Sequence, residues 1–291
     1  MSEETAGIEP RAAAPEEGAK VSRSAEREAI PSGPATNEVR MEHVCICLLS
    51  TCIGVLELEH YWIALISILM RNKKLFEKID AIVTEKSMLK HPFYKYWLMG
   101  KLTKSDLREY MKQYYHLEGA FPRFMSGIHS HTTDAAIRQT MLINLRGEEE
   151  GTNNHLGQLV TFSESLGLTE KNLKLSKANA GTKKAVDTLL SLTSSTDINK
   201  GLAALTAYKH QIAEVASTKE DGLKKLYGIT SEKALQFFTT HSRTDRSWHE
   251  MLDGHVSASD EKVVLASVRA TCDALLSFLD GVTTKKMLHA C

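Results

Sequence analysis

From Leu75 to the end of the chain, apolar residues recur at intervals of three and four and never alternate over the length of a strand, so helices are what this sequence can build. The stretch LFEKIDAIVTEKSML sets Leu75, Ile79, Ile82, Val83 and Leu89 on one stripe. In KLTKSDLREYMKQYYHLEGAF, Thr103 reads as an N-cap with Asp106 three residues on, and Leu107, Tyr110, Met111 and Tyr114 face inward. Pro122 should kink or end that helix. Further helices are expected over residues 134–166, 183–192, 199–227, 231–253 and 260–284, separated by Gly or Ser/Thr/Asp clusters. No internal repeat is visible. The expectation is one all-α domain of about seven helices over residues 71–291.

The chain in front of it is of another kind. Residues 1–43 are rich in Pro, Gly, Ala and Glu and poor in large apolar side chains, a composition that cannot repay its own ordering entropy and is expected to be disordered. Residues 44–70 form an apolar segment, VCICLLSTCIGVL and YWIALISILM, interrupted by Glu57, Glu59 and His60. Each half is too short to cross a bilayer and the two carboxylates penalise a joint span, so a membrane span is disfavoured. A secretory signal fits poorly, because no short cationic region directly precedes the run. Met70 is a plausible alternative initiator, since the patterned chain begins at RNKKLFEKID; an intact mass that includes earlier residues would exclude it.

Thirty-six basic residues balance thirty-six acidic ones, which leaves no basic footprint for nucleic acid. Five cysteines, at Cys45, Cys47, Cys52, Cys272 and Cys291, show no paired spacing for zinc or redox work, and a reducing cytoplasm suits them best.

Two polar clusters stand out against this background. In GEEEGTNNH, Glu148 and His155 are seven residues apart, within about 20° on one face if the helix continues through them. In THSRTDRSWH, His241, Asp245 and His249 follow at steps of four. Singly, each cluster also reads as an exposed helix end or a solvated polar face. Together they point to a metal site, because carboxylates and imidazoles projecting into a bundle core are how helical proteins hold iron or manganese.

The motifs HPFYKYW (91–97), GKLTKSDLREYMKQYYHLEGAFPRFMSGIHS (100–130), NLRGEEEGTNNH (144–155), ALTAYKHQI (204–212) and FFTTHSRTD (237–245) resemble, in the same order, those of the chlamydial protein associating with death domains and its bacterial relatives. That group lies within the larger set of TenA thiaminases and pyrroloquinoline-quinone synthase PqqC. The resemblance implies a heme-oxygenase-like bundle without heme, a non-heme iron or mixed manganese/iron centre, and dioxygen activation with an external reductant. It implies para-aminobenzoate, a folate precursor, as product, made from the protein's own tyrosine at Tyr94 with the nitrogen from Lys219. The metal ligands carried over are Glu148, His155, His241, Asp245 and, by an offset of one residue, His249. Tyr110, Tyr114 and Tyr208 fall where positioning or redox-active aromatics occur, although buried core tyrosines are the stronger reading; His91 reads as a helix-start residue.

Two positions depart from the resemblance. Lys209 stands where a carboxylate ligand is expected, and an ammonium cannot coordinate a metal. Trp248 stands where the last histidine is expected, and His249 regains its direction only through a one-residue π-bulge or a different rotamer. The outcomes left open are an altered dinuclear site, a mononuclear site, or a site without metal, with Lys209 able to fill a second metal's place as a fixed charge. The competing readings are a metal-free TenA-like or PqqC-like enzyme acting on a small organic substrate, and a non-catalytic helical module that binds a death-domain-type partner. A homodimer also stays open.

Overall fold

The computed structural model describes residues 72–243, 251–256 and 260–289, all within one unit of the chain, His60–Cys291. The tail and apolar segment expected over residues 1–43 and 44–70 lie outside the described residues, as do Asp245, Trp248 and His249.

Every regular element described is helical. Helix α1 covers residues 72–85. A 3-10 turn at Met88–Lys90 leads into α2, Pro92–Leu98, which His91 caps by accepting from Phe93 N. Helix α3, Lys104–Glu118, starts on a capping box in which Thr103 and Asp106 satisfy each other's backbone amides, as the sequence suggests. It stops at Gly119, and α4, Phe121–His131, restarts with Pro122 in its first turn, where a missing N–H costs nothing. Then follow α5 (Ala135–Glu149), α6 (His155–Ser165), α7 (Glu170–Leu175), α8 (Ala180–Thr193), α9 (Ile198–Lys225), α10 (Glu232–Ser242), α11 (Glu261–Asp280) and α12 (Lys285–Leu288).

Two expectations are overturned here. The helix expected over residues 231–253 ends at Ser242, with Arg243 as its C-cap. Residues 134–166 are not a single helix: Glu150 turns extended, Gly151 adopts φ +68°, and Asn154 caps a new helix by accepting from Gly157 N. A glycine in the left-handed region followed by a strong N-cap ends one helix and begins another. Glu148 and His155 therefore sit on two helices, not two turns apart on one.

The axis of the bundle is α9. Its 28 residues run for about 42 Å at the helical rise. The eight consecutive residues Leu202–Lys209 are all buried, the mark of a helix surrounded on every side. It packs against α4, α8, α10 and α11, and α6 lies against α10 and α3. Close approach decides one glycine: a Cβ on Gly222 would lie 2.3 Å from Trp97 Nε1, so only glycine lets α9 pass α2. Between α2, α3 and α11 sits an aromatic cluster in which Phe93 stacks on Tyr110 at 4.8 Å and Tyr110 meets Phe278 edge-on at 5.9 Å. Each such buried ring contributes roughly 1.5–3 kcal/mol through area removed from water.

Candidate functional site

Four helices bring acids and imidazoles to one place in this core. The chain reversal at Gly151 lays His155, the first residue of α6, against the last turn of α5. There His155 Nδ1 lies 3.1 Å from Glu148 Oε1, yet without hydrogen-bond alignment. Gly147 leaves the room, since a Cβ there would meet His155 Nε2 at 3.4 Å. Glu148 is buried, whereas Glu149 and Glu150 are exposed, so only one of the three adjacent carboxylates faces inward. His241, in the last turn of α10, is buried between Phe237 and His155, with ring centroids 4.3 and 4.6 Å away. Its Nδ1 lies 2.7 Å from Phe237 O, which fixes the tautomer: Nδ1–H donates and Nε2 keeps its lone pair.

That lone pair faces a residue the sequence reading passed over. Glu118, the last residue of α3, is 2% exposed, and its Oε1 lies 3.9 Å from His241 Nε2. Its Oε2 is buried with no hydrogen-bond partner. One ligand atom each from Glu118, His155 and His241 lie within 4.8 Å of one another. The signal for Glu118 was present in its position: it continues the stripe Leu107, Met111 and Tyr114, so a carboxylate occurs where helical periodicity calls for an apolar side chain.

Burial drives the electrostatics. It raises the Glu118 carboxyl well above its ordinary range, and the Glu148 charge adds to this while Lys209 and Lys219 oppose it. Burial pushes His241 down to about 3, helped by His155 and Lys209, so the ring is a neutral imidazole at neutral pH. A lone buried carboxylate is costly unless a cation lies beside it. An unpartnered carboxylate oxygen, a histidine whose tautomer is set by a backbone carbonyl and a second histidine nearby make a donor set that fits an ion with mixed oxygen and nitrogen preference.

Next to this cluster the structure places the other two residues singled out from sequence. Tyr94, on α2, is 1% exposed and its hydroxyl lies 3.4 Å from the Tyr110 hydroxyl. Lys219, on α9, is 2% exposed, with its Nζ 6.0 Å from the Tyr94 ring centroid, 5.1 Å from Tyr110 and 4.3 Å from Tyr114. The Tyr114 and Tyr208 hydroxyls are close enough to act on each other's ionisation, and burial raises both. Desolvation lowers the Lys219 ammonium to about 7, against the opposing charge of Glu118, and raises the Tyr94 phenol above its ordinary range. Tyr94, Tyr110, Tyr114, Tyr208 and Lys219 line one cavity of about 10 Å³, close to the minimum for a single water. His91 caps α2 and pairs with Asp280 at 3.1 Å, away from the cluster.

The profile of the TENA/THI-4/PQQC family matches residues 77–285. The chain belongs to that family. Among its curated relatives, 4-aminobenzoate synthase of Nitrosomonas europaea is 34% identical over 221 residues, 71% of this chain and 89% of the relative. The protein of that name from Chlamydia muridarum is 35% identical over 212 residues, 70% of this chain and 88% of the relative. Solved structures agree in fold. A TenA homologue from Pseudomonas syringae superposes with a TM-score of 0.62 at 15% identity, over 72% of this chain and 91% of that one. A CADD-like protein of unknown function from Nostoc punctiforme gives 0.61 at 16%, over 74% of this chain and all of that one. A domain with a heme-oxygenase-like fold from Shewanella denitrificans gives 0.56 at 19%, over 82% and 96%. The family's bundle is therefore the heme-oxygenase-like fold expected from the motifs. No helix among the described residues is long and apolar enough to cross a membrane.

Proposed function

We propose that this chain is a metal-dependent, self-sacrificing 4-aminobenzoate synthase that converts its own Tyr94 with nitrogen from Lys219. The observation that carries the reading is the cavity: a tyrosine and a lysine, both buried, face about 10 Å³ of space beside an acid–imidazole cluster. A separate aromatic substrate needs a pocket of some 300 Å³ or more, so the aromatic ring already in place is the one within reach of the chemistry. A metal-free enzyme of the TenA or PqqC kind, acting on a free organic substrate, would have to use one of the open clefts, which hold neither Tyr94 nor Lys219. The names of the relatives support the product.

Glu118, Glu148, His155 and His241 would hold the ion, with Asp245 and His249 as further ligands from the stretch that follows α10. Iron or manganese bound there supplies redox activation of dioxygen, with electrons from an external reductant. The chain's own residues do the rest. The aromatic walls hold the Tyr94 ring and keep bulk water out. The Tyr110 hydroxyl, 3.4 Å from that of Tyr94, holds the Tyr94 phenol in position. Lys219, brought to about 7 by burial, presents a substantial fraction of neutral amine at neutral pH, and only the neutral amine has the lone pair that a new C–N bond needs.

The test uses chain made with ring-labelled tyrosine and nitrogen-labelled lysine. Iron or manganese, reductant and dioxygen are added with no free aromatic present. The expected product is 4-aminobenzoate carrying both labels, at no more than one per chain. Product without the ring label, or many turnovers per chain, contradicts the proposal.

A further inference from the structure

Resting on the reading of this cluster as a metal site, the residues around it also bear on how many ions it takes. Lys209 lies on α9 with 8% exposure, beside Tyr208. The Tyr208 ring packs on Phe121 at 4.5 Å, and the Lys209 ammonium lies 5.6 Å over the same Phe121 ring. Phe121 opens α4 just past Glu118, the last residue of α3, so the ammonium is packed near that end of α3. Its charge is felt on both sides: it favours the charged carboxylate of Glu118 and opposes a protonated His241.

Carboxylates and imidazoles from four helices are a donor set with which bundles elsewhere hold two ions. Charge weighs against that here. Each divalent ion adds two positive charges near this ammonium: over Glu118, Glu148 and Lys209 taken by themselves, a second ion raises the net charge from about +1 to about +3, which is expensive away from water. We infer that the Lys209 ammonium, a fixed cation built into α9, takes the place of a second metal, so that this chain's cluster holds a single divalent ion.

The experiment is a manganese(II) titration of the metal-depleted full chain, read by elemental analysis and by electron paramagnetic resonance, with circular dichroism melting as a folding check. The native chain is expected to bind one manganese and to show the signal of an isolated ion. Lys209→Glu removes the fixed charge and adds an oxygen donor; bound manganese should rise to two per chain and the isolated-ion signal should give way to that of a coupled pair. Lys209→Met keeps the length without the charge and should still bind one manganese, with a Kd lower by at least about tenfold once the repulsion is gone. Two ions on the native chain overturn the inference, as does a folded Lys209→Glu that still binds one. If Lys209→Glu does not fold, an unchanged Kd in Lys209→Met overturns it. A native chain that binds no manganese sinks the metal reading itself, a result distinct from binding two.

Discussion

Lys219 places a titration in the middle of the accessible pH range, because burial, opposed in part by the charge of Glu118, lowers its ammonium to about 7. The yield of 4-aminobenzoate in a fixed short time should therefore rise with pH through about 7, and fall about tenfold per unit below it as the amine is protonated. Lys219→Arg, which stays charged at all working pH, should give none. Stability carries the same signature. Between about 7 and the ordinary 10.5 the unfolded chain binds this proton and the native chain does not, so stability rises with pH across that window and the Lys219 contribution is absent above it. Lys219→Met should flatten that slope in denaturant titrations at pH 7–10. Glu118 offers a second check at this scale: Glu118→Gln should weaken metal binding by at least about tenfold, while the exposed Glu149→Gln should leave it unchanged, measured by competition with a chelator.

At the scale of elements, the closest fit lies where α9 passes α2. Gly222→Ala puts a methyl group 2.3 Å from Trp97 Nε1 and should cost about 1–3 kcal/mol in chemical denaturation. Trp97 also lies 6.4 Å from the Tyr94 ring, so the same change should slow the chemistry at Tyr94. Most of these elements were legible in the sequence, since the stripe Leu75, Ile79, Ile82 and Val83 and the Thr103/Asp106 cap act locally and are found as expected. The break at Gly151 was misread because the apolar period continues on either side of it, and a single left-handed glycine followed by Asn154 outweighs that period. The pairing of Glu148 with His155 survives for a different reason, a chain reversal in place of two helical turns. Glu118 was missed because its significance comes from tertiary contact: within α3 it is one more acid near a helix end, and only the arrival of His241, over 120 residues later, gives it a role.

At the scale of the whole molecule, the bundle keeps Tyr94 and Lys219 away from its open surface. The larger clefts of the described surface, about 590 Å³ beside Arg108 and Lys112 and about 400 Å³ beside Tyr115 and His116, include neither Tyr94 nor Lys219. Helices α3, α6 and α10 each contribute one of the three candidate donors, with Glu148 of α5 against His155, while α2 and α9 carry Tyr94 and Lys219, so the proposed site would exist only when the core is assembled. On the proposed function, a chain that spends Tyr94 would work once. The most direct measurement is peptide-resolved mass spectrometry of the full chain after exposure to iron or manganese, reductant and dioxygen. The account predicts a change of mass localised to Tyr94 and Lys219, matched one for one by released 4-aminobenzoate and absent from Tyr94→Phe; 4-aminobenzoate formed while Tyr94 and Lys219 stay intact would contradict it.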